Sequence, residues 1–309
     1  MYKRMLVPLD GSELAEVVFT YAKELAGRLG LDVILLYVGH PAACEFTPMR
    51  RAYIERAAGI VRRQSKMIQK RVGIQSGGKP VEVRGELATG YPAEEILRYA
   101  DENAVDLILM ATHGRSGLKR WVMGNVADKI LRASKVPVWL VRAGIPEETP
   151  YDKWPKITIL VTLDGSELAE SVLPHAEVLA KQRGTKPDVV LLRVCEPSTT
   201  PAYYAPELSG VPLNWGEYAQ QETARCKQEA KEYLARMEKR LKDSHISVRS
   251  EVLVGKAADE IVDYANKNPF NLIVMATHGR SGLSRWVYSS VAENVLQGVS
   301  SPILLIRSH

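Results

Sequence analysis

The chain repeats itself across its whole length, and that fixes the plan on which it can fold. Residues 110–123 read Met-Ala-Thr-His-Gly-Arg-Ser-Gly-Leu-Lys-Arg-Trp-Val-Met. Residues 275–288 return the same string with Ser284 for Lys119 and Tyr288 for Met123. Near the start of each copy, Leu-Asp-Gly-Ser-Glu-Leu-Ala-Glu occurs at 9–16 and again at 163–170. Repeats this far apart cannot be solenoid units, which run to ~20–50 residues each. They mark a duplicated domain, each copy long enough to hold its own core. The expected domains are residues 1–145 and 155–309. They are joined by a linker at 146–154, in a stretch where Pro146, Pro150 and Pro155 stand among charges.

Each half alternates short apolar runs with longer helical patterns. In the first half the strand candidates are Met5–Leu9, Val33–Val38, Val81–Arg84, Leu107–Ala111 and Val138–Val141. Helical patterns cover Glu13–Leu29, Arg50–Val72, Ala93–Asn103 and Val122–Ala133. The second half runs through Ile157–Leu163, Val189–Val194, Val248–Val254, Leu272–Ala276 and Ile303–Ile306 as strands. Its helices are Glu167–Gln182, Trp215–Lys242, Ala258–Asn266 and Val287–Gln297. Strands that are apolar almost throughout are covered on both faces. Strand–helix alternation of this kind makes a parallel α/β sheet with right-handed crossovers. Ser12 and Ser166 are the expected N-caps after the first strand of each half. A proline-rich stretch at Glu196–Asn214 lengthens the second copy and is read as a surface loop.

Composition narrows the function classes. With 46% hydrophobic and 25% charged residues, the chain is an ordinary globular protein rather than a disordered one. Its 41 basic residues are nearly matched by 36 acidic ones, for a net charge of +5, so nucleic acid is not expected as a partner. Cys44, Cys195 and Cys226 form no C-x-x-C pair, which speaks against a structural disulfide or zinc site and for a reducing compartment. No apolar run approaches the roughly 18 residues that span a bilayer, and a cytoplasmic location is expected.

In an open parallel sheet, ligands bind beyond the carboxyl ends of the strands, where the strand order reverses. Two segments meet there if the first and fourth strands are neighbours. One is Asp10-Gly11-Ser12; the other is the loop Thr112–Gly124, which leads into a helix at Asn125. Gly114, Gly117 and Gly124 allow close backbone approach, and a helix start adds partial positive charge. Arg115, Lys119 and Arg120 add mobile charge. These features suit a phosphate-containing ligand, with Asp10 accepting from hydroxyls or helping to hold a cation. A plainer account makes Asp10 a helix cap and the glycines a tight loop.

Each half resembles the universal stress protein family, and the whole chain resembles its tandem members. The resemblance rests on the family's ATP-binding pattern G-x2-G-x9-G-[S/T]. The first half carries it as Ala111-x2-Gly114-x9-Gly124-Asn125, the second as Ala276-x2-Gly279-x9-Ser289-Ser290. The resemblance implies two doubly wound domains, each a five-stranded parallel sheet of order 3-2-1-4-5 with helices on both faces. It further implies that the last strand of each half pairs with its counterpart. ATP, accompanied by Mg2+, would be the ligand. Asp10 and Asp164 would approach the nucleoside, and backbone at Val38 and Val194 would read the adenine edge. Ala111 and Ala276 would lie by the ribose. Gly114, Gly124 and Asn125, and in the second copy Gly279, Ser289 and Ser290, would hold phosphates. His113, Arg115, His278, Arg280 and Gly282 complete the candidate set.

Ser289 places a Cβ where the family uses glycine, obstructing either close approach to phosphate or a positive φ. The first site is therefore expected to be the more competent. The expected role is that of a nucleotide-dependent sensor or interaction module, with no catalytic residues assigned and at most slow ATP hydrolysis. Partners would be a second tandem chain or the other half of the same chain, and an unidentified protein. The alternatives are a dimerising interaction protein that binds no nucleotide, and an ATP-consuming enzyme. Two decoys are set aside. Gly73–Pro80 imitates a phosphate loop but ends in Pro80 instead of a hydroxyl residue. Asp164, Ser166 and His175 have a triad's composition without a nucleophile elbow.

Overall fold

A computed structural model describes residues 2–41, 46–73, 81–112, 123–142, 156–182, 186–196, 215–242, 246–268, 270–277 and 289–307. The expected linker, most of the 196–214 insertion, Cys44 and the 74–80 decoy lie outside these residues.

The first half runs β1 (Arg4–Leu9), α1 (Glu13–Glu16), α2 (Val18–Leu29), β2 (Asp32–Gly39), α3 (Thr47–Arg71), β3 (Val83–Thr89), α4 (Pro92–Glu102), β4 (Leu107–Ala111), α5 (Asn125–Ala133) and β5 (Val138–Val141). The second half repeats the series. It runs β6 (Lys156–Thr162), α6 (Glu167–Glu170), α7 (Leu173–Ala180), β7 (Lys186–Cys195), α8 (Trp215–Lys242), β8 (Ser247–Val254), α9 (Ala257–Lys267), β9 (Leu272–Ala276), α10 (Ser290–Gly298) and β10 (Ile303–Ile306). The ten strands among the described residues belong to one sheet, ordered β3-β2-β1-β4-β5-β10-β9-β6-β7-β8. Each half thus has the order 3-2-1-4-5, as expected.

The junction between halves is the pairing of β5 with β10. It is antiparallel, with Leu140, Trp139 and Val138 opposite Ile303, Leu304 and Leu305. Every other pairing is parallel. The alternation of side chains makes the junction part of both cores. Trp139 and Leu304 join the layer under α2, α3, α7 and α8, while Leu140 and Ile303 join the layer under α4, α5, α9 and α10. All of these side chains are buried, so two strand edges that would otherwise template aggregation are sealed against each other.

Three expectations need correction. The third strand is not Val81–Arg84 but Val83–Thr89, and it continues through Gly85. A glycine inside a strand marks close backbone approach. Here a Cβ on Gly85 would stand 2.8 Å from the Ile54 carbonyl oxygen of α3. The first helix of each half is split: α1 ends at Val17 and α6 at Ser171. Pro174, at the start of α7, brings no N–H to continue the ladder from α6. Helices α5 and α10 begin at Asn125 and Ser290 rather than at Val122 and Val287, because Gly124 and Ser289 hold extended N-cap conformations.

Candidate functional site

Strand β1 is flanked by β2 on one side and β4 on the other, so the crossovers leave in opposite directions and a crevice opens above their carboxyl ends. A cavity of about 430 Å³ occupies it, lined by Asp10, Val38, Ala111, Gly124 and Asn125 among others. The size is that of a small-molecule site, typically ~300–1,000 Å³. The second half has the equivalent crevice of about 500 Å³, lined by Asp164, Val194, Ala276, Ser289 and Ser290. Ten of the eighteen candidate residues are thus brought to two cavities, five in each. His113, Gly114, Arg115, Gly117, His278, Gly279, Arg280 and Gly282 lie outside the described residues.

The turn after β1 is built by its sequence. Gly11 and Gly165 take φ of +79° and +88°, which a side chain would strain. The turn lets Ser12 donate through its backbone N–H (3.0 Å) and hydroxyl (2.6 Å) to Asp10 Oδ1, while its Oγ accepts from Ala15 N–H. Ser166 does the same between Asp164 and Ala169. The serines are the helix caps and the aspartates line the cavities. That removes the account in which Asp10 is only a cap. Ser166 is engaged in that role and His175 Nδ1 meets the Tyr2 hydroxyl instead, at 2.6 Å.

The two cavities differ at their floors. Gly124 N–H donates to the Thr112 carbonyl (3.1 Å) and Ser289 N–H to that of Thr277 (2.8 Å), closing the loop at the same place. Their backbones match: φ −64°, ψ 146° for Gly124 and φ −61°, ψ 150° for Ser289. Glycine is therefore not required for a positive φ, contrary to one of the expectations stated for this position. What differs is the side chain. Ser289 Oγ accepts from the Ala292 N–H at 3.1 Å and so satisfies one of the first donors of α10. Gly124 has no side chain to cap α5. The N-terminal amides of α5 thus lack the N-cap side-chain acceptor that α10 has.

The mouths differ as well. At the first, His40 and Arg50 line the wall, and the Arg50 guanidinium lies 5.4 Å from the Tyr37 ring centroid and 5.8 Å from that of Phe46. At the second, Arg193 lies 5.0 Å from the Tyr233 ring, and Glu196 accepts from the Ala257 N–H at the start of α9. Pro92, at the corresponding start of α4, has no N–H and asks for no such carboxylate. The second mouth thus carries a negative charge where the first carries an imidazole. Deeper in, burial pushes up the phenols of Tyr53, beside Glu16 and Asp10, and of Tyr233, beside Glu170 and Asp164. Sequence motifs pointed to neither tyrosine, nor to His40, Arg50, Glu196 or Cys226, which also lines the second cavity. Only the recurrence of a tyrosine on the long helix of each half could have signalled any of them.

Among the described residues, no three His, Cys, Asp or Glu side chains are grouped to hold a metal ion, and no helix is long and apolar enough to cross a membrane.

Comparison with known proteins accords with this arrangement. The model of the universal stress protein family matches residues 1–142 and again 158–307. A universal stress protein of Mycolicibacterium smegmatis is 22% identical over 98% of this chain and 96% of its own length. The universal stress protein YxiE of Bacillus subtilis is 30% identical over 46% of this chain and all of its own length. The crystal structure of a universal stress protein from Archaeoglobus fulgidus superposes with a TM-score of 0.64 at 20% identity, covering 98% of both chains. This last likeness is one of fold.

Proposed function

Since the chain belongs to the universal stress protein family, twice over, we propose that it binds ATP in the first cavity and serves as a nucleotide-dependent sensor or interaction module in the stress response. One observation carries the reading: an apolar crevice at the β1/β4 switch point ends on a helix N-terminus that Gly124 leaves uncapped. The donor set fits the ligand. Amides at the start of α5 and the side chain of Asn125 would hold phosphates, and Asp10, fixed by Ser12, would take the ribose hydroxyls. Pro8, Leu36, Val38 and Ile96 would wrap the base. Mg2+ would arrive with the triphosphate, held mainly by phosphate oxygens.

The second cavity would bind nucleotide more weakly. Ser289 already satisfies an α10 amide, and Glu196 sets a carboxylate at the mouth. Turnover is not part of the proposed role. The dimerising alternative draws no support from the strand edges, because β5 and β10 pair within the chain; a dimer of tandem chains would need another surface. Equilibrium dialysis with labelled ATP tests the reading. Asp10→Ala should lose most of the tight binding, while Asp164→Ala should keep it. Equal retention in both variants would remove the tight site from the first cavity, and no binding by the unmutated chain would return it to the interaction-only class.

A further inference from the structure

We propose that Cys195 and Cys226 form a peroxide-reactive dithiol at the second cavity, closing to a disulfide that fastens α8 to the end of β7. The pair is set by elements far apart in sequence. Strand β7 alternates between the two cores: Val189 and Leu191 face the α7/α8 layer, Val190 and Leu192 the opposite one. Continuing that alternation puts Cys195 on the α8 side, where it is buried. On α8 the residues turned to the sheet include Ala230, Tyr233 and Met237. Cys226 stands one turn before Ala230 and two before Tyr233, on the same face. Both thiols therefore belong to the layer where α8 packs on the end of β7, and both are free.

Position gives the two sulfurs different tasks. Cys226 is only partly covered and lines the cavity, so a small oxidant reaches it from solvent. Cys195 lies behind it, and burial holds its thiol up at about 12, which protects it from direct attack. Arg193 and Lys227 add positive charge beside Cys195 that offsets part of this.

The chemistry balances with a hydroperoxide as the oxidant. The Cys226 sulfur attacks the peroxide oxygen, the O–O bond breaks, and water leaves when the oxidant is hydrogen peroxide. The product is a sulfenic acid. Cys195 sulfur then attacks the Cys226 sulfur, the S–O bond breaks, and the hydroxyl departs as water with the Cys195 proton. Two thiols are oxidised and one peroxide is reduced to two waters.

The first half has no such pair. The residue that ends β2 as Cys195 ends β7 is Gly39: each accepts a hydrogen bond through its carbonyl from a glycine N–H, Gly90 and Gly255 respectively. A Cβ on Gly39 would meet the Arg50 guanidinium at 2.8 Å. The same place therefore holds an arginine in one half and a dithiol in the other.

The test uses the whole reduced chain, which has three cysteines. It is treated with stoichiometric hydrogen peroxide under native conditions, alkylated, and weighed intact and after digestion. Three alkylatable thiols should fall to one, with loss of two hydrogens and a Cys195–Cys226 linked peptide. Cys44→Ser should retain the link, and dimedone should trap a sulfenic acid on Cys226 in Cys195→Ala. Persistence of three thiols, oxidation of Cys226 to sulfinic acid without a link, or chains joined through Cys44 would each overturn the proposal. Because no nucleotide enters this assay, its result is independent of the ATP reading.

Discussion

Replacing Gly124 by serine should weaken ATP binding at the first cavity with little change in stability. The serine would adopt the backbone that Ser289 already holds and turn its Oγ onto the α5 amide equivalent to Ala292 N–H. A hydrogen bond to a charged group contributes ~1.5–3 kcal/mol, and losing one to the phosphate sets the upper limit. If the phosphate displaces the hydroxyl instead, the cost is what the cap gains over glycine, about a few tenths of a kcal/mol. The expected loss therefore runs from about a few tenths of a kcal/mol to ~3 kcal/mol, at most roughly 150-fold in Kd. On the folded state, serine over glycine at an N-cap gains only a few tenths of a kcal/mol, opposed by a Cβ 3.2 Å from the Thr112 carbonyl oxygen. Titration calorimetry with ATP and Mg2+ reads the affinity, and thermal melting the stability. Gly124→Ala brings the same Cβ without the hydroxyl and should lose less. Ser289→Gly should tighten the second cavity. Unchanged affinity in Gly124→Ser would refute the capping argument, as would an alanine at least as damaging as the serine.

Other consequences follow from the junction, the packing and the titrating groups. Leu304→Ala, fully buried opposite Trp139, should cost ~2–5 kcal/mol in urea unfolding; a cost under 1 kcal/mol would mean the junction is not packed as described. Gly85→Ala must push the strand away from the Ile54 carbonyl, 2.8 Å from the new Cβ, and should destabilise by ~1–3 kcal/mol. His175 is held neutral by burial, its pKa lowered from the ordinary 6.5 to about 4. The unfolded chain binds that proton first, so stability present above pH 6.5 is lost as pH falls from 6.5 towards 4. His175→Gln, keeping a partner for the Tyr2 hydroxyl, should flatten that part of the urea-midpoint profile, and a parallel profile would count against the assignment.

Much of the fold could be read before the structure because the repeat supplied each signal twice. Apolar runs located every strand, and the strand order and the β5–β10 pairing came from the family resemblance. The strand missed in part was β3, which runs on through Gly85; that glycine serves the approach of α3, a contact between segments that no local pattern reports. The Asp-Gly-Ser turns were legible because they sit in a repeated string, and Gly124 because it falls at the motif's spacing just past the other. The walls of the cavities were not. His40 and Arg50 answer to Glu196 and Cys226 across helices and loops of unequal length, so no fixed offset aligns them. Cys195 and Cys226 flank the 196–214 insertion, and only the packing of α8 on β7 brings them together. The absence of a C-x-x-C pattern argued against a structural disulfide, and it could not reveal a pair of this kind.

The most direct test of the account is the stoichiometry of ATP and Mg2+ binding to the nucleotide-free chain, measured by calorimetry. The asymmetry between Gly124 and Ser289, with Glu196 at the second mouth, predicts one tight equivalent, abolished by Asp10→Ala. Two equivalents of equal affinity would contradict the inequality of the cavities, and no binding by the folded protein would contradict the nucleotide reading itself.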